Sequence, residues 1–276
     1  SAAGASAARP AVVRSNGMRF MRHDAWHDAL FVHYPVDADA LQRRLPPGLQ
    51  VDLHQGVAYI GVVLLTERGI MPWPPRVPLW LVRWLGLSHH AVNVRTYVKP
   101  ALANTGPPGI YFFSLDCSSL LPTIGARLLF NLPYRYARMR RGQRGAMSSL
   151  QSARRTSTAT IAAEWVSEGE PLGTEPDAGN DALGRFFVER YALYNPMGPL
   201  LRFLMPKHRN RQLWSGAITH EPWPLRKARL VAYGGICSSV GVLSAAGLSE
   251  LVQGGACISH ASSGVGPIDF FWRGVI

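Results

Sequence analysis

Val92-Asn93-Val94-Arg95-Thr96-Tyr97-Val98, Gly109-Ile110-Tyr111-Phe112-Phe113-Ser114-Leu115-Asp116 and Asn131-Leu132-Pro133-Tyr134-Arg135-Tyr136-Ala137-Arg138-Met139 decide how this chain folds. Each segment alternates or runs apolar as a strand does. Lys99-Pro100 and Asn104-Thr105-Gly106-Pro107-Pro108-Gly109 supply the turn between the first two. Pro122 to Phe130 reads as a short helix with Ile124, Leu128 and Leu129 on one face. The polar content of these strands is unusual: Arg95, Asp116, Tyr134, Arg135, Tyr136 and Arg138 lie within or beside apolar patterns. Polar groups facing a core need partners, and a polar-lined cavity inside a sheet structure supplies them.

Working outward, Trp26 to Val36 reads as the first strand, followed by a short helix from Ala38 to Leu45 capped by Asp37 and stopped by Pro46-Pro47-Gly48. Leu49–Leu53 and Val57–Thr66 form two strands joined through His54-Gln55-Gly56, with glycine in the turn. Downstream, Thr156–Ile161 favours a strand, Asp181–Tyr194 a helix, Gln212–Thr219 a strand and Gly266–Val275 the last strand. Many short strands, few helices, no repeat and no linker predict a single antiparallel β-rich α+β domain over 18–276. Residues 1–17 are rich in Ala, Ser and Arg without an acid, the composition of a flexible leader or transit-peptide remnant.

A net charge of +12 and a pI near 10.3 rest almost wholly on arginine, since Lys99, Lys207 and Lys227 are the only lysines. No acid occurs between Asp116 and Glu164, an interval that holds Arg127, Arg135, Arg138, Arg140, Arg141, Arg144, Arg154 and Arg155. Such a field attracts polyanions; solvated surface arginine in a GC-rich coding background gives the same composition. Ile70–Leu87 carries Trp73, Trp80 and Trp84 among prolines; Arg76 and Arg83 keep it from spanning a membrane, so its expected role is contact with a partner or a lipid interface. Leu230–Ser249 is uncharged but diluted by Gly and Ser, as glycine-rich hairpins are. Cys117, Cys237 and Cys257 are an odd number without metal spacing, which favours a reducing compartment and a core role for Cys117.

Nucleophile elbow, phosphate loop, zinc-protease and dinucleotide motifs are all missing, so no cofactor is indicated. His89 and His90 are adjacent and would point to opposite faces of a strand, a poor metal pair. A stronger signal comes from order. Trp26-His27-Asp28-Ala29-Leu30-Phe31-Val32-His33-Tyr34-Pro35-Val36, Leu45-Pro46-Pro47-Gly48-Leu49, Val92 to Val98, Gly109 to Asp116, Leu132-Pro133-Tyr134, Glu189-Arg190-Tyr191 and His220-Glu221-Pro222-Trp223-Pro224-Leu225 together resemble the YqjF-like family, from about Met18 to the C-terminus. That family is grouped with the acetoacetate-decarboxylase-like superfamily. The resemblance therefore implies a mainly antiparallel, closed conical β-barrel around a buried cavity, with few short helices.

The resemblance does not carry the decarboxylase chemistry with it. The decarboxylase forms a Schiff base through a lysine whose amine is neutral because burial and a second cation lower its pKa. Tyr134 and Arg135 stand at the matching positions; tyrosine cannot form an imine, and arginine stays protonated. Ala91 occupies the place of the superfamily's acidic residue. Arg95 and Arg138, with the hydroxyls of Tyr134 and Tyr136 and with Asp116 or Glu189 as partners, would still suit a carboxylate or a phosphate. A buried Arg95–Asp116 ion pair is the plain structural alternative, as are a helix-face role for Glu189 and a packing role for His220. Three functional readings follow: a non-catalytic protein with a cavity sized for a small organic acid; an accessory subunit of a large organellar protein or RNA–protein assembly, docking through Arg140, Arg141, Arg144, Arg154, Arg155 and the tryptophans; and an enzyme working on a small organic acid by general acid–base chemistry. The leader points to a mitochondrion or plastid, with the bacterial cytoplasm as the alternative.

Overall fold

The computed structural model describes residues 17–72, 88–102, 105–172, 182–208, 210–235, 241–252 and 257–276. Trp73, Trp80, Trp84, Cys237 and nearly all of the leader lie outside the described residues. Nine strands close a barrel in the order β6 (His89–Pro100), β4 (Ala58–Arg68), β2 (Ala25–Val36), β14 (Ile258–Val265), β13 (Leu225–Gly234), β10 (Thr160–Glu168), β9 (Met147–Arg154), β8 (Tyr134–Arg144) and β7 (Gly109–Cys117), with β7 returning to β6. The expected closed barrel, rich in strands and poor in helix, is the observed fold.

The quoted stretch contains the one parallel step of this ring. β7 and β8 run parallel, Leu115 opposite Tyr134, and a parallel pair needs a crossover. Helix α2 (Leu120–Phe130) provides it, and Asn131 ends that helix in the left-handed conformation at φ 52°. Its N–H and that of Leu132 fold back onto the carbonyls of Arg127 and Ala126. The tight stop delivers Tyr134 to the first position of β8. Upstream, helix α1 (Ala38–Gln42) is capped as predicted, the Asp37 carboxylate accepting from the Ala40 N–H at 2.7 Å.

β7 offers the same edge twice: its C-terminal half to β8 and its N-terminal half, Ile110 and Tyr111, to β11 (Ala192–Pro196). From β11 a second sheet continues through β12 (Leu213–Thr219), β15 (Ile268–Val275), β1 (Met18–His23) and β5 (Met71–Pro72). Strand alternation then sorts the core. Leu30, Val32, Ile60, Val62, Leu64, Val92 and Val94 turn inward and meet Leu150, Ile161, Ala163 and Trp165 from the far wall, so the lumen is packed. Ala29, Phe31, Val63, Leu65 and Ala91 face the other way, toward Trp214, Ile218 and Phe270 of the second sheet. β4 is buried along both faces for this reason.

Two expectations are corrected. The turn at Gln55-Gly56 forms, with both residues at positive φ, but β3 (Leu49–Val51) pairs with β6 and not with β4. The helix expected over 181–194 is described over Ala182–Val188 (α3), where β11 then takes up the aromatic Tyr194 and its neighbours. The Ile124–Leu128–Leu129 face of α2 is open to solvent; together with exposed Phe203 and Leu204 of α4 (Pro199–Leu204) it stays uncovered among the described residues. No described helix is long and apolar enough to cross a membrane.

Candidate functional site

Between the barrel wall and the second sheet lies a cavity of about 380 Å³, roofed on one side by α2. Most of its lining is apolar: Phe20, Phe31, Leu65, Phe112, Trp214 and Phe270 are representative. A volume of this size falls at the small end of ligand sites. Polar groups enter at a few positions, and strand geometry explains which. On β6 every second residue faces the cavity side, so His89, Asn93 and Arg95 share it; on β4 the Val63, Leu65, Glu67 alternation does the same.

Arg95 is buried, and its Nη2 donates to the Phe187 carbonyl at 2.9 Å. The guanidinium lies 5.8 Å from the rings of Phe31 and Tyr97. Tyr97 in turn bonds His33 Nε2 at 2.6 Å, and that imidazole stacks on Phe187 with 3.6 Å between centroids. The second cation of the wall, Arg190, donates to the Phe186 carbonyl and forms an ion pair with Asp52 at 2.7 Å. Two guanidiniums thus cap the C-terminus of α3, where carbonyl dipoles favour positive charge. Only Arg190 has a carboxylate. Among the described residues no acid lies within ion-pair distance of Arg95, and its Nε is buried without a partner.

Farther along β6, Glu67 Oε2 lies 3.3 Å from His23 Nδ1 and 3.6 Å from His89 Nε2. Burial drives the Glu67 carboxyl up to about 8, His23 down to about 3 and His89 down to about 4, the neighbouring imidazoles His89 and His90 adding to the fall of each. All three side chains are therefore uncharged at neutral pH. Trp26 Nε1 donates to His23 Nδ1 at 2.9 Å, which places the proton of His23 on Nε2. Tyr134 borders the same end; burial, then the proximity of Glu67 and Cys117, pushes its phenol well above the ordinary value. His220 also lines the cavity, packed on Tyr191 at 4.9 Å and donating its Nδ1–H to the Glu221 carbonyl, 2.7 Å away. Burial lowers its pKa. Among the described residues no trio of His, Cys, Asp or Glu is placed to hold a metal ion.

Of the residues expected from sequence, Arg95 and Tyr134 reach the cavity. Asp116 does not. It faces the lumen, where Oδ1 accepts from Arg154 at 2.7 Å and Ser114 joins the same guanidinium. The buried pair is Asp116–Arg154 rather than Arg95–Asp116, because a bulge in the β6–β7 pairing at Val94/Arg95 inserts Phe113 and sends the two side chains to opposite faces. Arg138 points to solvent and Tyr136 sits outside the lining: both share the face of Tyr134, but β8 continues past the cavity along β9, so only its first residue borders the cavity. Glu189 is spent on structure, its oxygens accepting from the Trp223 N–H and the Tyr191 hydroxyl. Arg154 is buried with Asp116, and Arg141 closes one end of the lumen, donating to the Asp28 carbonyl at 2.6 Å and lying 5.2 Å from Trp165. Of that proposed polyanion surface, Arg140, Arg144 and Arg155 are exposed.

A closed barrel flanked by a second sheet, with an apolar cavity between them, is the acetoacetate-decarboxylase-like architecture. Two solved structures share it: acetoacetate decarboxylase from Legionella pneumophila, at 12% identity and TM-score 0.58 over 97% of this chain and 91% of that one, and the enduracididine biosynthesis enzyme MppR complexed with pyruvate, at 14% and 0.56 over 94% and 90%. Identities this low speak for the fold alone. Family membership rests on sequence: residues 23–265 match the model of the uncharacterized conserved proteins grouped as DUF2071, and YqjF of Bacillus subtilis (strain 168) is 33% identical over 215 residues, 77% of this chain and 78% of that protein. The chain belongs to this DUF2071, or YqjF-like, family.

Proposed function

We propose that the cavity binds a carboxylic acid with an apolar body, holding the carboxylate on Arg95, and that it does so without Schiff-base chemistry. The observation that carries this reading is the buried Arg95 charge, which among the described residues has carbonyl dipoles but no carboxylate to balance it. An uncompensated buried charge is strongly unfavourable, and an incoming carboxylate would supply the missing counter-charge by charge-assisted hydrogen bonds. Glu67, His23 and His89 are neutral and do not compete for it. Tyr134, which the sequence resemblance sets at the place of the decarboxylase lysine, stands in the cavity wall, and none of the three lysines lines the cavity. The pyruvate named with MppR is likewise an organic acid, held on the same fold.

Trp26, Trp214 and Trp223 line the cavity, so intrinsic fluorescence reports occupancy. Octanoate and decanoate are expected to bind, while the corresponding alcohols bind at least tenfold more weakly. Arg95→Gln should lower affinity for the acids by about 2 kcal/mol and leave the alcohols unchanged. Equal binding of acid and alcohol, or an unaltered Arg95→Gln, would refute the reading.

A further inference from the structure

Charge balance at Arg95 accounts for one end of the cavity and leaves the other unexplained. His89 stands six positions before Arg95 on β6 and shares its cavity-facing side. At that far end the cavity again carries polar atoms that nothing among the described residues satisfies. His23 Nε2 is buried without a partner, as are both ring nitrogens of His89, and Asn93 Oδ1 lies between the two ends in the same condition. The His23 side chain is 4% exposed, that of His89 1% and that of Glu67 7%. Buried orphan donors and acceptors cost about 1–3 kcal/mol each, and native proteins keep few of them. Here they gather where β6 of the barrel meets β1 of the second sheet, on either side of Glu67.

Their hydrogen-bonding directions are defined. The Trp26 N–H occupies His23 Nδ1, so Nε2 of that ring is a donor. The Glu67 carboxyl lies against the occupied Nδ1 and against His89 Nε2 at 3.6 Å, longer than a hydrogen bond. Its neutral form brings one O–H donor beside its acceptor oxygens, and the uncharged His89 ring adds one donor and one acceptor. The patch therefore offers both donors and acceptors without net charge. A carboxylate would find no cation there, and a purely apolar group would leave every one of these atoms unpaired. A hydroxyl or carbonyl oxygen matches it.

We infer that Glu67, His23 and His89 form a second polar subsite, which hydrogen-bonds an uncharged oxygen function on the ligand, so that the ligand is a long, mainly apolar acid oxygenated at the end distant from its carboxylate. This rests on the carboxylate reading of Arg95. The apolar stretch between, Leu65, Phe112, Leu115 and Trp214 among its walls, takes the hydrocarbon.

The test compares decanoate with 10-hydroxydecanoate by tryptophan fluorescence at pH 7. Wild type should bind the hydroxy acid about tenfold more tightly, the effect of one well-made buried hydrogen bond. Glu67→Leu should erase that preference while leaving decanoate affinity intact. Glu67→Gln, which keeps a neutral donor and acceptor in the same place, should preserve it. Equal affinities in wild type, or a preference surviving in both Glu67→Leu and His89→Phe, would overturn the subsite while decanoate binding left Arg95 in place. Failure of wild type to bind either acid would overturn both readings. Should Glu67→Leu not fold, Glu67→Gln paired with His89→Phe makes the same comparison.

Discussion

Replacing Glu67 by Gln gives a test of the cavity's electrostatics that needs no ligand. A carboxyl that binds its proton more tightly in the fold than in the unfolded chain stabilises the fold most below its unfolded value, 4.5, and that stabilisation drains away as pH rises to about 8. Between pH 5.5 and 8.5, roughly two and a half pH units fall inside this window, at about 1.36 kcal/mol each. Wild type should therefore lose about 3 kcal/mol across that range relative to Glu67→Gln, which cannot titrate. His23 and His89 act with the opposite sign: held neutral, they cost stability as pH falls below 6.5 toward about 3 and about 4 respectively. Both proteins carry them, so the difference between the two curves isolates Glu67. Urea unfolding at half-unit pH steps provides the measurement. A constant offset between the curves would refute the argument, since it would mean that Glu67 is ionised throughout.

Two further predictions concern the lumen and the reactive position. Asp116→Leu should destabilise the fold by about 3–5 kcal/mol, because Arg154 is left buried and unpaired, whereas adding Arg154→Met should recover most of that loss in chemical unfolding; equal stability of the single and double variants would remove the ion pair as the cause. Borohydride reduction in the presence of pyruvate should leave the intact mass unchanged, and a covalent adduct would show that an amine does reach the cavity.

Where sequence and structure agree, the cause is strand alternation. The three opening segments became β6, β7 and β8, the Asp37 cap formed, and Arg95 was found among cavity groups because a cation in a run of valines must meet polar partners inside the fold. Where they part, the cause is an irregularity that local pattern does not show. Phe113 enters as an extra residue, and every assignment beyond it changes face, which is how Asp116 left the site for the lumen. Glu67 was missed although Val63, Leu65 and Glu67 alternate onto one face; a strand that is apolar on both sides hides its period. His89 and Asn93 share that face with Arg95 and were legible from spacing alone. The Trp26 bond to His23 was not, since it requires the bend at Asp24 between two strands.

The double use of one edge of β7 has a consequence for how the molecule can come apart. Since Leu115 to Cys117 serve the ring and Ile110 and Tyr111 serve the outer sheet, a single strand is a member of both, and neither layer holds a complete set of neighbours without the other. Both layers also join partners far apart in the chain, β2 with β14 in the ring and β1 with β15 in the outer sheet. Such pairings must wait for most of the polypeptide to be available, which slows folding and favours all-or-none behaviour. A nascent chain cut anywhere before β14 has no stable half to fall back on. Its late strands act as keystones, and the cavity exists only once they are set.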